Sequence, residues 1–331
     1  MFKFFHYKQE TTRDNMTECP LSVIIPCHNY GQYLTAAITS VLRQEGFVEN
    51  MEVLVIDDHS SDSDTLQTLS YWETADPRVH VFYNQDRSGA ATARNLGISL
   101  ASGEWIAFLD ADDAWAPGGL HVRWQVVQRY PEAQWIGADF IYWYEDGTFD
   151  AEGFFQTRSL THPLLSQAYA SGAVHRFCKP VVDFLQTSLG WTSTVLVKKS
   201  LLMSVNGFET SLGNYEDHHL WIRLARQMDF FFVPQVVAYY RQHAMSVSRR
   251  EGPPAYWYIV AMRQLLQDPQ FHPYRVLIRR KLAFLSMQNA YYHRARGEAA
   301  RALTAAAAAI LYHPSRMDAW KNLFAALVGR R

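Results

Sequence analysis

The stretch Glu104-Trp-Ile-Ala-Phe-Leu-Asp-Ala-Asp-Asp113 decides the fold. Residues 105–109 form an apolar run typical of a buried strand, and it ends abruptly in the carboxylates of Asp110, Asp112 and Asp113. In open α/β sheets, ligands bind at the carboxyl edge of such strands. Because side chains alternate along an extended chain, we expect Asp110 and Asp112 on one face, with Ala111 turned away. Two carboxylates on one face suit Mg²⁺ or Mn²⁺, which in turn favour phosphate. The stretch therefore predicts a metal-bound diphosphate.

Two earlier strands also end in polar clusters. The apolar run 21–25 leads into Pro26-Cys-His-Asn29, and the run 53–56 leads into Asp57-Asp58. One such cluster would be ordinary turn or helix-capping chemistry, but three on one sheet edge favour a ligand site. Segments with helical spacing of apolar residues separate these strands, so we predict a parallel sheet with right-handed crossovers.

The remaining chain is expected to complete this sheet and then become helical. Strands are predicted at 135–143, 192–197 and 230–240, and a helix near Glu216, whereas residues 145–190 carry no clear pattern. After Pro253-Pro254 the chain is rich in Ala, Leu and Arg, which indicates helices. The predicted divisions are a poorly ordered leader at 1–20, a catalytic domain at 21–250 with a nucleotide-binding half at 21–115 and an acceptor half at 116–250, and a helical region at 251–331.

Charge and cysteine content limit which classes of partner and which compartment the sequence predicts. The net charge of −1 argues against a nucleic-acid binder. Residues 271–331 hold 11 Lys/Arg against 2 Asp/Glu, a balance of +9 that leaves −10 for residues 1–270. This basic end indicates a surface for an anionic partner. The simpler interpretation is a solvated basic face of helices packed on the catalytic domain, and the more specific one is contact with an anionic membrane. Three cysteines without metal spacing and the lack of an apolar run of membrane-spanning length predict a cytoplasmic protein.

The order and spacing of several short motifs resemble glycosyltransferase family 2. The resemblance covers residues 21–248, and each motif alone is weak. The motifs are Ser22-Val-Ile-Ile-Pro-Cys-His-Asn29, Val55-Ile-Asp-Asp58, Ala93-Arg-Asn-Leu-Gly97, Ile106-Ala-Phe-Leu-Asp-Ala-Asp-Asp113, Asn206-Gly-Phe-Glu209, Tyr215-Glu-Asp217 with Leu220-Trp-Ile-Arg223, and Tyr240-Arg-Gln-His243. The resemblance implies the GT-A fold, a Rossmann-like, mostly parallel central sheet flanked by helices, here with a C-terminal helical extension. It also implies an inverting, metal-dependent enzyme that uses a nucleotide-sugar.

The resemblance also implies roles for the donor-side residues. Asp57 is expected to contact the nucleotide base, in a pocket shaped by Pro26 and Asn29. Asp110-Ala111-Asp112 corresponds to the family's Asp-x-Asp segment, with Asp112 as direct metal ligand and Asp110 on ribose or a metal-bound water. Arg94 stands where the family has a basic residue near the diphosphate, although a structural ion pair explains it equally well.

The later motifs imply the base and a further ligand. Asp217 resembles the general base, and Glu216 would orient the donor sugar or the acceptor, with helix capping as the alternative for both. His243 would bind metal or phosphate. This sequence departs from the family pattern at two positions where the family usually has glycine. His59 and Asn206 stand there instead. Aromatic residues that could stack on an acceptor sugar, if they are not core, are Tyr142, Trp143, Tyr144 and Trp191.

The function that follows from these expectations is transfer of a sugar from a nucleoside-diphosphate sugar to a hydroxyl of a glycan or glycolipid. A UDP-sugar is the first candidate for the donor. The absence of Gln-x-x-Arg-Trp indicates a single addition rather than a processive synthase. The alternative is a non-catalytic nucleotide-sugar-binding or assembly protein that acts through the basic C-terminal helices. A dehydrogenase is disfavoured because Cys27-His-Asn-Tyr-Gly31 is not the Gly-x-Gly-x-x-Gly loop.

Overall fold

A computed structural model describes residues 20–46, 51–84, 87–159, 162–244, 246 and 255–327. The predicted leader at 1–20 lies outside the described residues, except for Pro20. In the first half, strands and helices alternate as predicted: β1 (Leu21–Cys27), α1 (Gly31–Leu42), β2 (Met51–Asp57), α2 (Ser63–Ala75), β3 (Val79–Tyr83), α3 (Ala90–Leu100) and β4 (Trp105–Phe108). Strand β1 pairs in parallel with β2 and β4, and β2 pairs in parallel with β3.

Burial of apolar side chains holds this half together. Val23, Ile24 and Ile25 of β1 are fully buried, and each stabilises the fold by about 1.5–3 kcal/mol. Helix α3 lies directly on this strand, because a Cβ added to Gly97 would stand 2.5 Å from Ile24 Cγ2. The absence of a side chain at Gly97 therefore sets how closely α3 approaches the sheet.

The second half is more varied. Its elements are β5 (Ala114–Trp115), α4 (Gly119–Arg129), β6 (Trp135–Tyr144), α5 (Phe154–Arg158), α6 (Pro163–Ser171), β7 (His175–Phe177), α7 (Val181–Gln186), β8 (Leu196–Lys198), α8 (Lys199–Ser204), α9 (Glu216–Ala225) and β9 (Phe230–Gln242). In the part of the chain that the structure describes, the sheet order is β3-β2-β1-β4-β8-β6-β9-β5, with β7 also paired to β9. The first four strands are parallel, whereas the second half mixes parallel and antiparallel pairs.

Two parts of the second half differ from the sequence expectation. The strand predicted at 192–197 begins instead as a 3₁₀ turn, Thr192–Thr194. The Thr192 and Ser193 hydroxyls donate hydrogen bonds to Asp217 and Asp113, and such side-chain bonds compete with an extended backbone. The unassigned segment 145–190 is organised by the buried carboxylate of Asp139. The Asp139 carboxylate accepts hydrogen bonds from Phe155 N at 2.8 Å and Tyr169 Oη at 2.5 Å. Contacts between residues so far apart in the chain leave no local pattern in the sequence.

The two positions where glycine is replaced keep a glycine-like backbone. His59 has φ +61° and Asn206 has φ +59°, both in the left-handed region. Both turns therefore keep the conformation that glycine would favour, at a cost of about 1–2 kcal/mol for an ordinary residue and less for Asn.

The C-terminal region is helical, as predicted. It comprises α10 (Tyr256–Gln267), a 3₁₀ turn (Pro269–Tyr274), α11 (Arg275–Ala295), α12 (Ala299–Tyr312) and α13 (Met317–Leu327). Helix α10 packs on α9 and α11, and α11 also packs on α7 and α12. None of the helices that the structure describes combines the length and the apolar character needed to span a bilayer.

Candidate active site

A cavity of about 310 Å³ opens at the carboxyl edge of β1, β2 and β4. Two of the three acids after β4 and both acids at the start of α9 line this one cavity, although more than 100 residues separate the two groups in the chain. Predicted site residues that line it are Pro26, Arg94, Asp110, Ala111, Asp112, Glu216 and Asp217. The fold therefore brings the two acidic motifs to a common space.

The chain turns sharply after β4 rather than staying extended. Asp113 N donates to Asp110 O at 3.0 Å, so the expected alternation of Asp110 and Asp112 on one strand face is wrong. Instead, Asp110 and Asp112 line the same cavity but contact different partners. Asp113 is fully buried and accepts from Ser193 Oγ and Arg241 N, and burial raises its pKa well above the usual range.

Arg94 joins the two acidic motifs. Its Nη2 lies 2.7 Å from Asp110 Oδ1, and its Nη1 lies 2.6 Å from Glu216 Oε1. Burial alone would lower the pKa of Arg94, but the carboxylates of Asp110 and Glu216 raise it above its ordinary value, so the guanidinium stays charged. The structure thus shows the ion pair, on a residue that also lines the cavity. The diphosphate contact stays a prediction.

Replacing Arg94 with methionine is expected to destabilise the fold by about 3 kcal/mol, because two carboxylates would lose their buried partner. The loss would be measured as the change in free energy of unfolding in urea. Arg78→Met is the matched control: Arg78 pairs with Asp76 at 2.7 Å, but its side chain is 21% exposed, against 6% for Arg94. The control should cost less than about 1 kcal/mol. Equal losses in both variants would contradict this account of Arg94.

Asp217 is held by two contacts in the first turn of α9. Its Oδ1 accepts from His218 N at 2.6 Å, and its Oδ2 accepts from Thr192 Oγ1 at 3.0 Å. Burial and then the charge of Glu216 raise the pKa of Asp217 to about 6, although Arg94 opposes them. The first contact satisfies a backbone amide in the first turn of α9, so a helix-stabilising role and the predicted base role both apply to this residue. Sequence reasoning missed Thr192, which has no local signal.

The predicted metal ligands divide into two groups. His243 Nε2 lies 2.9 Å from Asp112 Oδ2, and the imidazole is buried against the Tyr33 ring. Asp110 instead pairs with Arg94, and among the described residues no group of three or more His, Cys, Asp or Glu is arranged to hold a metal. Among the described residues, Asp110, Asp112 and His243 are therefore not arranged as one three-ligand group, and their metal roles stay predictions. Asp112 and His243 stay the predicted cation pair: the carboxylate suits Mg²⁺ and Mn²⁺, the imidazole suits Mn²⁺ rather than Mg²⁺, and water and substrate phosphates would supply the other ligands.

The three residues predicted to form the pocket for the nucleotide base differ in whether they line the cavity. Asp57 is buried, with Oδ2 accepting from Ser60 N at 3.1 Å and Oδ1 without a hydrogen-bond partner among the described residues. Asn29 has φ +57° and its Oδ1 accepts from Ser61 N at 2.8 Å, so it ties the end of β1 to the turn after β2. Of the three predicted residues in this group, Pro26 lines the cavity, whereas Asp57 and Asn29 are not among its lining residues.

Asp58 is the residue on this side that sequence reasoning missed, although its place in the Asp57-Asp58 pair was a signal. It lines the cavity, and its carboxylate accepts from Ser88 N at 2.9 Å and Gly89 N at 2.8 Å. These bonds hold the loop that leads into α3, the helix of Arg94. Asp58 therefore shapes the donor side of the cavity through the backbone.

On the acceptor side, one of the four suggested aromatic residues lines the cavity. Trp191 does so, with its ring 4.6 Å from that of Tyr240. Tyr142 packs on Phe154 and Tyr240, and Trp143 stacks on Phe149. Trp191 alone of the four is therefore placed to meet an acceptor in the described cavity.

Comparison with known proteins agrees with this geometry. Residues 22–161 match the family described as Glycosyl transferase family 2. Glycosyltransferase GlyG of Streptococcus pneumoniae is 33% identical over 129 residues, covering 39% of this chain and 42% of that protein. The Escherichia coli UDP-Glc:alpha-D-GlcNAc-diphosphoundecaprenol beta-1,3-glucosyltransferase WfgD is 39% identical over 108 residues, covering 33% and 41%. The chain thus spans less than half the length of these two curated relatives.

Solved structures resemble nearly the whole chain at low identity. S. aureus TarS 1–349 in complex with UDP-GlcNAc has a TM-score of 0.64 at 17% identity, covering 94% of this chain and 88% of that one. The mannosyltransferase PcManGT from Pyrobaculum calidifontis, in complex with GDP-Man and Mn²⁺, has a TM-score of 0.58 at 21% identity, covering 97% and 89%. These likenesses show the GT-A fold.

Proposed function

Residues 22–161 form a glycosyltransferase family 2 domain, and on that premise we propose that this chain is an inverting glycosyltransferase that uses a nucleoside-diphosphate sugar. The observation that carries the proposal is the single cavity lined by Asp112, Asp217 and Arg94. A donor held at the strand edge and an acceptor brought to Asp217 would share that space.

In the proposed reaction, the Asp217 carboxylate takes the proton of an acceptor hydroxyl while that oxygen attacks C1 of the sugar. The bond from C1 to the diphosphate oxygen breaks, and the configuration at C1 inverts. Thr192 holds the carboxylate through its hydrogen bond, and Arg94 keeps Glu216 beside it. Asp112 and His243 would hold the divalent cation, which supplies positive charge to the leaving diphosphate.

The donor and acceptor belong to the proposal as well. UDP is the first candidate for the nucleotide, since the printed names of WfgD and of the TarS complex specify UDP-Glc and UDP-GlcNAc. The acceptor is a hydroxyl of a glycan or glycolipid, which the WfgD name supports with a diphosphoundecaprenol-linked sugar. Contact between the basic C-terminal helices and an anionic membrane, and a cytoplasmic location, stay predictions.

A direct test is release of nucleoside diphosphate from a set of UDP- and GDP-sugars with and without Mn²⁺. Thermal unfolding with the same compounds identifies the ones that bind. A glycosyltransferase should slowly hydrolyse the sugar nucleotide that stabilises it. Stabilisation without any turnover, with or without glycan acceptors, would favour the non-catalytic nucleotide-sugar-binding alternative.

The rate of transfer is expected to depend on pH through Asp217. Its pKa of about 6 lies above the ordinary value because it is buried beside Glu216. Below that pH the carboxylate is protonated and cannot take a proton, so kcat/KM should fall about tenfold per pH unit, and above it the rate should level off. Nucleotide binding measured over the same pH range serves as the control. A rate that stays constant between pH 7 and pH 5 would contradict Asp217 as the base.

A further inference from the structure

The segment that carries the proposed base is covered by the C-terminal helices. Gly213, Asn214, Glu216 and Asp217 line the cavity, and α10 lies on the other side of the segment. A Cβ added to Gly213 would stand 2.6 Å from Trp257 Cζ2, so backbone and indole are in close contact. The segment is therefore packed between the cavity and the first of the C-terminal helices.

The backbone of this segment adopts an unfavourable conformation two residues before the base. Tyr215 has φ +63° and ψ +15°, in the left-handed region that residues other than glycine rarely adopt. Such a conformation persists only where surrounding contacts hold it. Tyr215 N donates to Asn214 Oδ1 at 2.7 Å, and Tyr215, as the N-cap residue of α9, makes no side-chain capping hydrogen bond. The Tyr215 side chain is held by a contact from another helix.

Tyr258 of α10 makes that contact. The rings of Tyr215 and Tyr258 are stacked, with centroids 4.7 Å apart and an interplanar angle of 15°. The Tyr258 hydroxyl also lies 2.8 Å from His218 Nε2, and burial lowers the pKa of His218 to about 3, so this imidazole is neutral. Tyr258 thus contacts residues on both sides of Glu216 and Asp217.

Helix α11 supports Tyr258 from behind. The Lys281 amino group lies 5.2 Å from the centre of the Tyr258 ring and donates to Gln186 O at 2.9 Å. This contact ties α11 to α7 and limits movement of the tyrosine. The stacked pair is therefore part of a continuous contact between the helical region and the segment that carries the base.

We propose that Tyr258 is a positioning residue for the transfer reaction: it holds Tyr215 in the left-handed conformation and thereby fixes the orientation of Asp217 towards the acceptor. This inference rests on the proposed function of Asp217. It gives the C-terminal helices a direct part in the reaction, besides any contact with a partner.

The test compares kcat for UDP release from UDP-GlcNAc or UDP-Glc with Mn²⁺, together with hydrogen exchange of the amides at 214–218. Tyr258→Leu removes both the stack and the hydroxyl, and Tyr258→Phe removes the hydroxyl alone. Tyr256→Leu is the matched control, because Tyr256 lies on the same helix and is 53% exposed.

Tyr258→Leu should lower kcat about tenfold, the size expected when a left-handed residue loses its support, with KM for the donor within about twofold of the parent. Exchange at 214–218 should rise in Tyr258→Leu, less in Tyr258→Phe, and not in Tyr256→Leu. Adding Tyr215→Gly to Tyr258→Leu should recover most of the lost kcat, because glycine adopts the left-handed conformation without a stack. A merely structural role for Tyr258 would not produce that rescue.

Parental kcat and exchange in Tyr258→Leu would overturn the proposal, as would a loss of kcat that glycine at 215 does not recover. If Tyr258→Leu does not fold, exchange in Tyr258→Phe decides, and no increase at 216–218 would overturn it. Failure of the proposed function is a separate result. Full transfer by Asp217→Asn would refute the base, whereas the exchange measurement would still report on the contact between Tyr258 and the segment.

Discussion

Replacing Asp217 with asparagine is expected to lower kcat by about 10³-fold, because a general base contributes about 10²–10⁴-fold and an amide cannot take the proton. Asparagine has nearly the same shape: its oxygen can still accept from His218 N, and its NH₂ group can donate to the Thr192 hydroxyl, which accepts as well as donates. The substitution should therefore leave the fold and the donor site intact. Affinity for UDP with Mn²⁺ should stay within about twofold of the parent, since the base acts only in the chemical step.

The measurement pairs steady-state transfer with calorimetric titration of UDP. Asp183→Asn is the matched control, because Asp183 also lies in the first turn of a helix but does not line the cavity. That control should keep parental kcat. Parental kcat in Asp217→Asn would remove the proposed mechanism, and a large loss of UDP affinity in it would show that Asp217 acts in donor binding instead.

Asp112→Asn is expected to abolish the gain in UDP affinity that Mn²⁺ provides and to lower kcat/KM by about 10²–10³-fold, since a bound cation supplies several kcal/mol of charge stabilisation. The physical reason is the loss of one of two donors. Asp112 Oδ2 and His243 Nε2 are 2.9 Å apart, and a neutral amide beside the imidazole binds a divalent cation far less well than a carboxylate. Titration of UDP with and without Mn²⁺ measures this effect without turnover.

Asp110→Asn gives the informative comparison, because Asp110 is two residues away and pairs with Arg94. It should retain a Mn²⁺-dependent gain in UDP affinity while lowering the free energy of unfolding, since Arg94 loses part of its buried pairing. Loss of the Mn²⁺ dependence in both variants would place Asp110 among the metal ligands after all. Retention in both would leave the cation without the proposed protein ligands.

The sheet was predictable because its signals are local. The apolar runs that become β1, β2 and β4 end in polar residues within two or three positions, and such runs have few alternatives to a buried parallel strand. The side-chain directions after β4 were not predictable in the same way. Alternation applies only while a chain is extended, and the hydrogen bond from Asp113 N to Asp110 O ends that condition.

The sequence alone determined where the parallel strands of the first half lie, which of them end in acids, and that these acids meet at one sheet edge, since hydrophobic periodicity and turn formation depend on near neighbours in the chain. The tertiary structure decided which acid has which partner. Arg94 reaches Glu216 across 122 positions, Asp112 reaches His243 across 131, and Tyr258 reaches His218 across 40. Contacts over such separations depend on how the helices and the sheet pack, and packing is a property of the whole core rather than of any short segment.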